Sequence, residues 1–310
     1  MSALRRLPAL ATTGVGSLPF TAPAEAVRHA VNAYDVPFCP QLPRLDGDMV
    51  RSWLGADPAG CGWCPDRDRQ RPAAWDAFVA EVAARPPADR TVKLQVTGPV
   101  TLARALDRAA GRRETLVLAA EIARWLAVSV REQLLALREH GLDALLLVDE
   151  PGLAQAGLSG RDGTVWDPLR LASAAAWGLH VCGTVPWTVV DAAEPDVLSY
   201  DLTRDHLPVA ARPVITRLLA RGGRIAWGAV DPAAPASVAG TSALLVAAIA
   251  GVGRRTGDVA AASLVTPACG TGLLSPARER LVAATLDAAV RVTAGAISAH
   301  DGAGVPARSS

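Results

Sequence analysis

The sequence predicts an α/β fold, a single (β/α)8 barrel of the TIM type with an insertion after its second strand, and three observations carry that prediction. Eight short apolar or β-branched runs each precede a stretch of helical composition. The runs are apolar on both faces, as the strands of a covered parallel sheet must be. The unusual polar residues collect where these runs end, which is where barrels of this type gather their chemistry.

The eight candidate strands are 11–17, 36–43, 91–99, 143–150, 177–183, 196–202, 224–230 and 261–270. Between them lie Ala/Leu/Arg/Glu-rich segments such as PAEAVRHAVNAY, RETLVLAAEIARWLAVSVREQLLALREHG and SPARERLVAATLDAAVRVTAG. Thr21 and Pro23 are start signals for the first of these helices, and Gly141 and Gly295 sit where helices commonly stop. Residues 50–90, rich in Pro, Gly and Asp, form a lid-like insertion over the mouth, and the barrel covers 1–296 with a flexible tail at 297–310. A doubly wound open sheet is the alternative architecture.

The composition narrows the function. The chain has 310 residues, 50% of them hydrophobic, with 31 Lys+Arg against 30 Asp+Glu. A formal charge of +1 and no basic stripe exclude the footprint of a nucleic-acid binder. The stretch 241–253 is too short to span a bilayer, so no membrane partner and a cytoplasmic location are expected. Five cysteines, an odd and sparse set, point to metal binding or a reactive thiol before a disulfide framework.

The segment LHVCGTVPW places His180 and Cys182 two residues apart, on one face of a strand if the strand continues through both. With Cys269 at the end of the last candidate strand they supply two thiolates and an imidazole, the ligand chemistry of Zn2+ in a site that leaves a fourth position open. Asp201 is either a displaceable fourth ligand or a partner of His180. The plain alternative is three buried, unreactive side chains. In DEP, Asp149 and Glu150 point to opposite faces of a regular strand, so only one of them can face the mouth.

The motifs TTGVGSLP, VTGPVTL, LLVDEP, HVCG, DVLSYD and PACG, in that order over about residues 11–292, resemble the catalytic barrel of cobalamin-independent methionine synthase. That barrel belongs to a superfamily with the uroporphyrinogen decarboxylases and corrinoid-dependent methyltransferases, and PFCPQLPR is typical of its short stand-alone members. The resemblance implies a zinc-dependent S-methyltransferase acting on homocysteine, with His180, Cys182 and Cys269 on the metal and Asp201 where the synthase has a glutamate ligand. It implies that Val15, Gly16 and Ser17 hold the substrate carboxylate and that Asp149 faces its ammonium. The sequence departs from the family at Pro43, in place of a glutamate, at about Ala105, in place of a folate-stacking tryptophan, and at Asp231, in place of a proton-donating histidine. The methyl donor is thus a methylated folate, a methyl-corrinoid protein or another methylated small molecule. Two other functions compete: a metal-free decarboxylase-like enzyme, and a non-catalytic barrel that binds zinc or thiols.

Three further features read as structural. Cys61 and Cys64 lie in the Pro/Asp-rich insertion and lack the strand-to-helix context of a redox motif. Cys39 reads as core, and His29, His140, His206 and His300 as surface residues.

Overall fold

A computed structural model describes residues 3–54, 71–85, 91–106, 111–173 and 176–302. Seven strands are present among these: β1 (Ala11–Thr12), β2 (Thr91–Thr97), β3 (Asp143–Asp149), β4 (Ala176–Val181), β5 (Val197–Asp201), β6 (Arg224–Val230) and β7 (Ser263–Pro267). They form one curled, all-parallel sheet in the order β1-β7-β6-β5-β4-β3-β2. The strands β2, β4, β6 and β7 are buried along their whole length, because helices cover the outer face and the curl encloses the inner one.

The expected second strand, 36–43, is corrected: among the described residues it contributes two isolated bridges, Ser17 to Gln41 and Phe38 to Lys93, and no regular strand. Pro37, Pro40 and Pro43 explain the difference, since each removes a donor from the ladder. The segment still bonds on both flanks. Val36 N donates to Thr12 O at 2.9 Å and Gln41 N to Gly16 O at 3.0 Å, while Cys39 N donates to Lys93 O at 3.1 Å and Lys93 N to Pro37 O at 2.7 Å.

Two apolar layers follow from the alternation of side chains. The inner one joins Leu145, Leu147, Ala176, Val197, Ala226 and Leu264 with Leu4 and Leu7, so the short helix Ala3–Arg6 packs into the core that the sheet encloses. Arg224 holds that segment by donating to Leu7 O and Pro8 O at 2.6 and 3.0 Å. The outer layer contains Val92, Leu94, Val148, Leu179, Leu198, Ile225 and Trp227 with the helices.

The helix Arg112–Glu139 ends as expected, with Gly141 at φ 70° and its N–H on Arg138 O. Gly295 does not stop its helix, which runs Pro276–Gly302, so 297–302 are helical and the tail boundary at 296 is corrected. No proline follows there, and one glycine inside a long helix costs only about 1 kcal/mol. The stretch Pro276–Ala299 is long and apolar enough to cross a membrane by length and composition alone; here Val282, Leu286, Ala289 and Ile297 are buried. His29 is also corrected from surface to half-buried: its Nε2 lies 2.8 Å from Oε1 of the buried Glu279, which also accepts from Tyr34 Oη at 2.7 Å. Of the insertion, the helices Arg51–Leu54 and Trp75–Ala83 are described, whereas Cys61 and Cys64 lie outside the described residues.

Glu150 is the main polar anchor between sheet and helix. It is fully buried and accepts from Val100 N (3.1 Å), Thr101 N (2.8 Å), Thr101 Oγ1 (2.6 Å) and Trp166 Nε1 (2.9 Å). Burial pushes its carboxyl above the usual range while these donors pull it back. Gly98 is required beside it, since a Cβ there would sit 2.2 Å from Glu150 Oε1. Replacing Glu150 with Ala should therefore strand four donors and cost about 3 kcal/mol or more in urea denaturation. A loss under about 1 kcal/mol would show that Glu150 does not anchor the helix Pro99–Leu106.

Candidate functional site

Strand register sets one level of the site. Thr97 pairs with Asp149, Asp149 with His180, and His180 with Ser199, so these four residues stand side by side across β2 to β5. Asp149, His180 and Ser199 project into the enclosed interior, where they share a void of about 10 Å³ with Val15, Lys93 and Thr266. Above this inner layer, Ser17, Asp231 and Cys269 line a cavity of about 920 Å³ together with Met49, Trp53, Arg51 and Arg71. The residues expected to form one site thus occupy two levels.

In the inner layer, the His180 Nδ1 lies 2.9 Å from Ser199 Oγ and its buried Nε2 has no partner. Burial, with help from the Lys93 charge, pushes the imidazole down to about 3, so it is neutral at physiological pH. Asp149 Oδ1 and Thr266 Oγ1 are likewise buried without partners. Lys93 Nζ donates to Val15 O at 2.7 Å and to Gln95 Oε1 at 2.9 Å. Burial pushes Asp149 up to about 8 and Lys93 down to about 8, and each charge pulls the other back toward its ionised form.

At the upper level the interaction between the Cys182 and Cys269 thiols lowers Cys269 to about 7 and pushes Cys182 up, while burial raises both. The carboxylates of Asp149, Asp201 and Asp231 all act electrostatically on this pair. Asp201 caps the helix Leu202–Asp205, its Oδ1 accepting from Thr203 N (2.9 Å), Thr203 Oγ1 (2.6 Å) and Arg204 N (3.1 Å). Asp231 Oδ1 accepts from Ala233 N at 2.9 Å.

The loop Val15–Ser17 is held from both levels. Val15 O receives the Lys93 ammonium; Gly16 lets Gln95 approach so closely that a Cβ would lie 2.6 Å from it; Ser17 O accepts from Thr271 N at 3.0 Å and Ser17 Oγ from Gly272 N at 3.3 Å. Lys93, Ser199 and Thr266 were missed in the sequence. Their signal was available: Lys93, Gln95 and Thr97 place a polar side chain at every second position of a strand that is otherwise apolar.

Zinc is the metal that the resemblance implies, and the residue types present, an imidazole nitrogen on β4 without a partner and two thiols at the strand ends, are those that zinc takes. Among the described residues no three His, Cys, Asp or Glu side chains stand together as a ready ligand cluster. Cys182 lies just past the end of β4 and turns to Cys269, while His180 faces inward toward Ser199. Enclosing an ion therefore requires side-chain rotation.

A buried neutral imidazole has a consequence for stability. Unfolded, His180 binds a proton below about 6.5; folded, it resists until about 3, so stability is lost as pH falls between these values. The metal-free chain should lose up to about 1.4 kcal/mol per pH unit in that window from this group. A His180→Asn variant should lack that component, so its stability difference from wild type should shrink on acidification. A pH-independent difference would mean that the ring is not held neutral.

No protein-family model matches the chain, and no curated protein matches it. Among solved structures, it is similar to a methyltransferase from Methanosarcina mazei, with a TM-score of 0.60 at 14% identity over 92% of this chain and 96% of that one. That likeness establishes a shared fold.

Proposed function

We propose that this chain is a zinc-dependent S-methyltransferase whose site activates a thiol substrate, on a single-domain eight-staved barrel in which the Pro-rich segment 36–43 supplies the second stave. The observation that carries the reading is Cys269 and Asp231 on the wall of a cavity of about 920 Å³, with Cys182 close enough to perturb Cys269 and the unpartnered His180 Nε2 on the adjacent strand β4. Methyl transfer also agrees with the fold likeness to a methyltransferase. His180, Cys182 and Cys269 would hold the metal, with Asp201 as a further oxygen donor, and a bound zinc ion would supply the Lewis acidity that favours a thiolate at neutral pH.

The remaining chemistry falls to the chain itself. Ser17 and the backbone of Val15–Ser17 orient the substrate end that enters the cavity, fixed by their bonds to Thr271, Gly272 and Lys93. The acidic thiol of Cys269 is the side chain best prepared to lose a proton when a cation binds. Asp231, which lines the cavity wall, would carry a proton near the donor. The cavity size admits a bulky methyl donor, either a methylated folate or the methyl-corrinoid group of a partner protein. The thiol implied by the resemblance is homocysteine. These substrates and a cytoplasmic location complete the proposal.

A metal-free, decarboxylase-like reading is favoured by one observation, the absence of a ready three-donor cluster among the described residues. The two readings separate in solution. The zinc-loaded chain should release about one proton on binding a small thiol and should methylate it from methylcobalamin or methyltetrahydrofolate. Cys182→Ser and Cys269→Ser should abolish both effects. Binding without proton release, or turnover unaffected by both variants, would defeat the zinc-thiolate reading.

A further inference from the structure

We propose that the outward face of the helix Arg112–Glu139 is a self-association surface, on which the same helix of a second copy of this chain packs antiparallel across a two-fold axis level with Leu126. The inference is independent of the thiol reading. The helix is 28 residues long and is fixed to the body of the protein by Ala119, Ile122, Leu126, Val130 and Leu137, all buried. Its other side carries an exposed seam of Val117, Glu121, Arg124, Val128, Arg131 and Leu135. Steps of four and three residues alternate along it, so the seam repeats every 3.5 residues or so and stays on one side for about 27 Å, the period at which two helices pair. Val117, Val128 and Leu135 are 59%, 48% and 47% exposed, apolar surface in one line that a packed partner would remove from water.

The seam is complementary to its own reverse. About that axis Val117 meets Leu135 of the second copy, Glu121 meets Arg131, Glu114 meets Arg138 and Arg113 meets Glu139, and symmetry makes each contact twice. Arg124 meets Val128, where its aliphatic stem covers the apolar side chain while the guanidinium stays in water. A parallel arrangement would set Glu121 on Glu121 and Arg124 on Arg124, so the charges select the antiparallel one. These charges are free to be used: among the described residues Glu121, Arg124, Arg131 and Arg138 form no ion pair within the chain. Space agrees with charge. A groove of about 360 Å³ lies between Arg113, Glu114, Val117, Leu118 and Glu121, and Leu135 of the second copy is the side chain that this pairing delivers to it.

The test is sedimentation equilibrium of the full chain, from micromolar to half-millimolar concentration. The proposal expects a monomer–dimer equilibrium that ends at twice 32.0 kDa. Glu121→Arg and Arg131→Glu each turn two attractive contacts into like-charge ones, and each should raise the dimer dissociation constant about tenfold or more. The double variant Glu121→Arg/Arg131→Glu exchanges the two charges and should restore the wild-type value. Both positions are exposed, so the monomer fold tolerates all three variants. A chain that stays monomeric throughout overturns the proposal, and leaves the seam to solvent or to a different protein. A dimer indifferent to the single variants, or one that the double variant fails to restore, overturns it as well, because the contact then lies on another surface or in another register.

Discussion

A charged amine inside a parallel sheet is the constraint around which the rest of this structure is arranged. Lys93 is 3% exposed, lies over the Phe38 ring at 5.4 Å, and finds its acceptors at Val15 O and Gln95 Oε1. An unpaired buried ammonium would be intolerable, so those acceptors and the facing Asp149 are structural necessities. The same bonds fasten the β1 loop to β2. Gln95 passes the restraint on to the Cys39 carbonyl, and so to a segment whose prolines deny it a regular ladder. Side-chain polar bonds here replace backbone ones.

Two adjacent carboxylates on β3 show how a strand divides labour. Asp149 faces the enclosed void and Glu150 faces the helices, and the pleat alone separates them. Glu150 meets the N-terminal end of the helix Pro99–Leu106 and a tryptophan N–H, a fully served structural position. Asp149 keeps an unpartnered oxygen beneath the two thiols. An identical functional group is thereby fixed as an anchor on one side and kept chemically available on the other.

Much of the sheet was legible in the sequence because strands buried on both faces read as continuous apolar runs, and because DEP, HVCG and PACG mark strand ends. The second expected strand was misread because VPFCPQLP has strand-like burial with three missing donors, and composition alone does not reveal which neighbours supply hydrogen bonds. The placement of Cys182 was not legible, because the i, i+2 rule applies only inside a strand and β4 ends at Val181. Lys93 was overlooked because a single charge in TVKLQVTGP resembles a surface position until the curl of the sheet encloses it. Gly295 misled for the opposite reason, since a glycine stops a helix only where the chain has somewhere else to turn.

The central claim is that the thiol pair at the mouth exists to hold a metal. Its most direct test is the zinc content of the chain purified without added metal, compared with Cys182→Ser and Cys269→Ser. About one zinc per chain, lost in both variants, is the predicted result. No zinc in the wild type after reconstitution under reducing conditions would contradict it, and would leave Cys182 and Cys269 as two ordinary thiols.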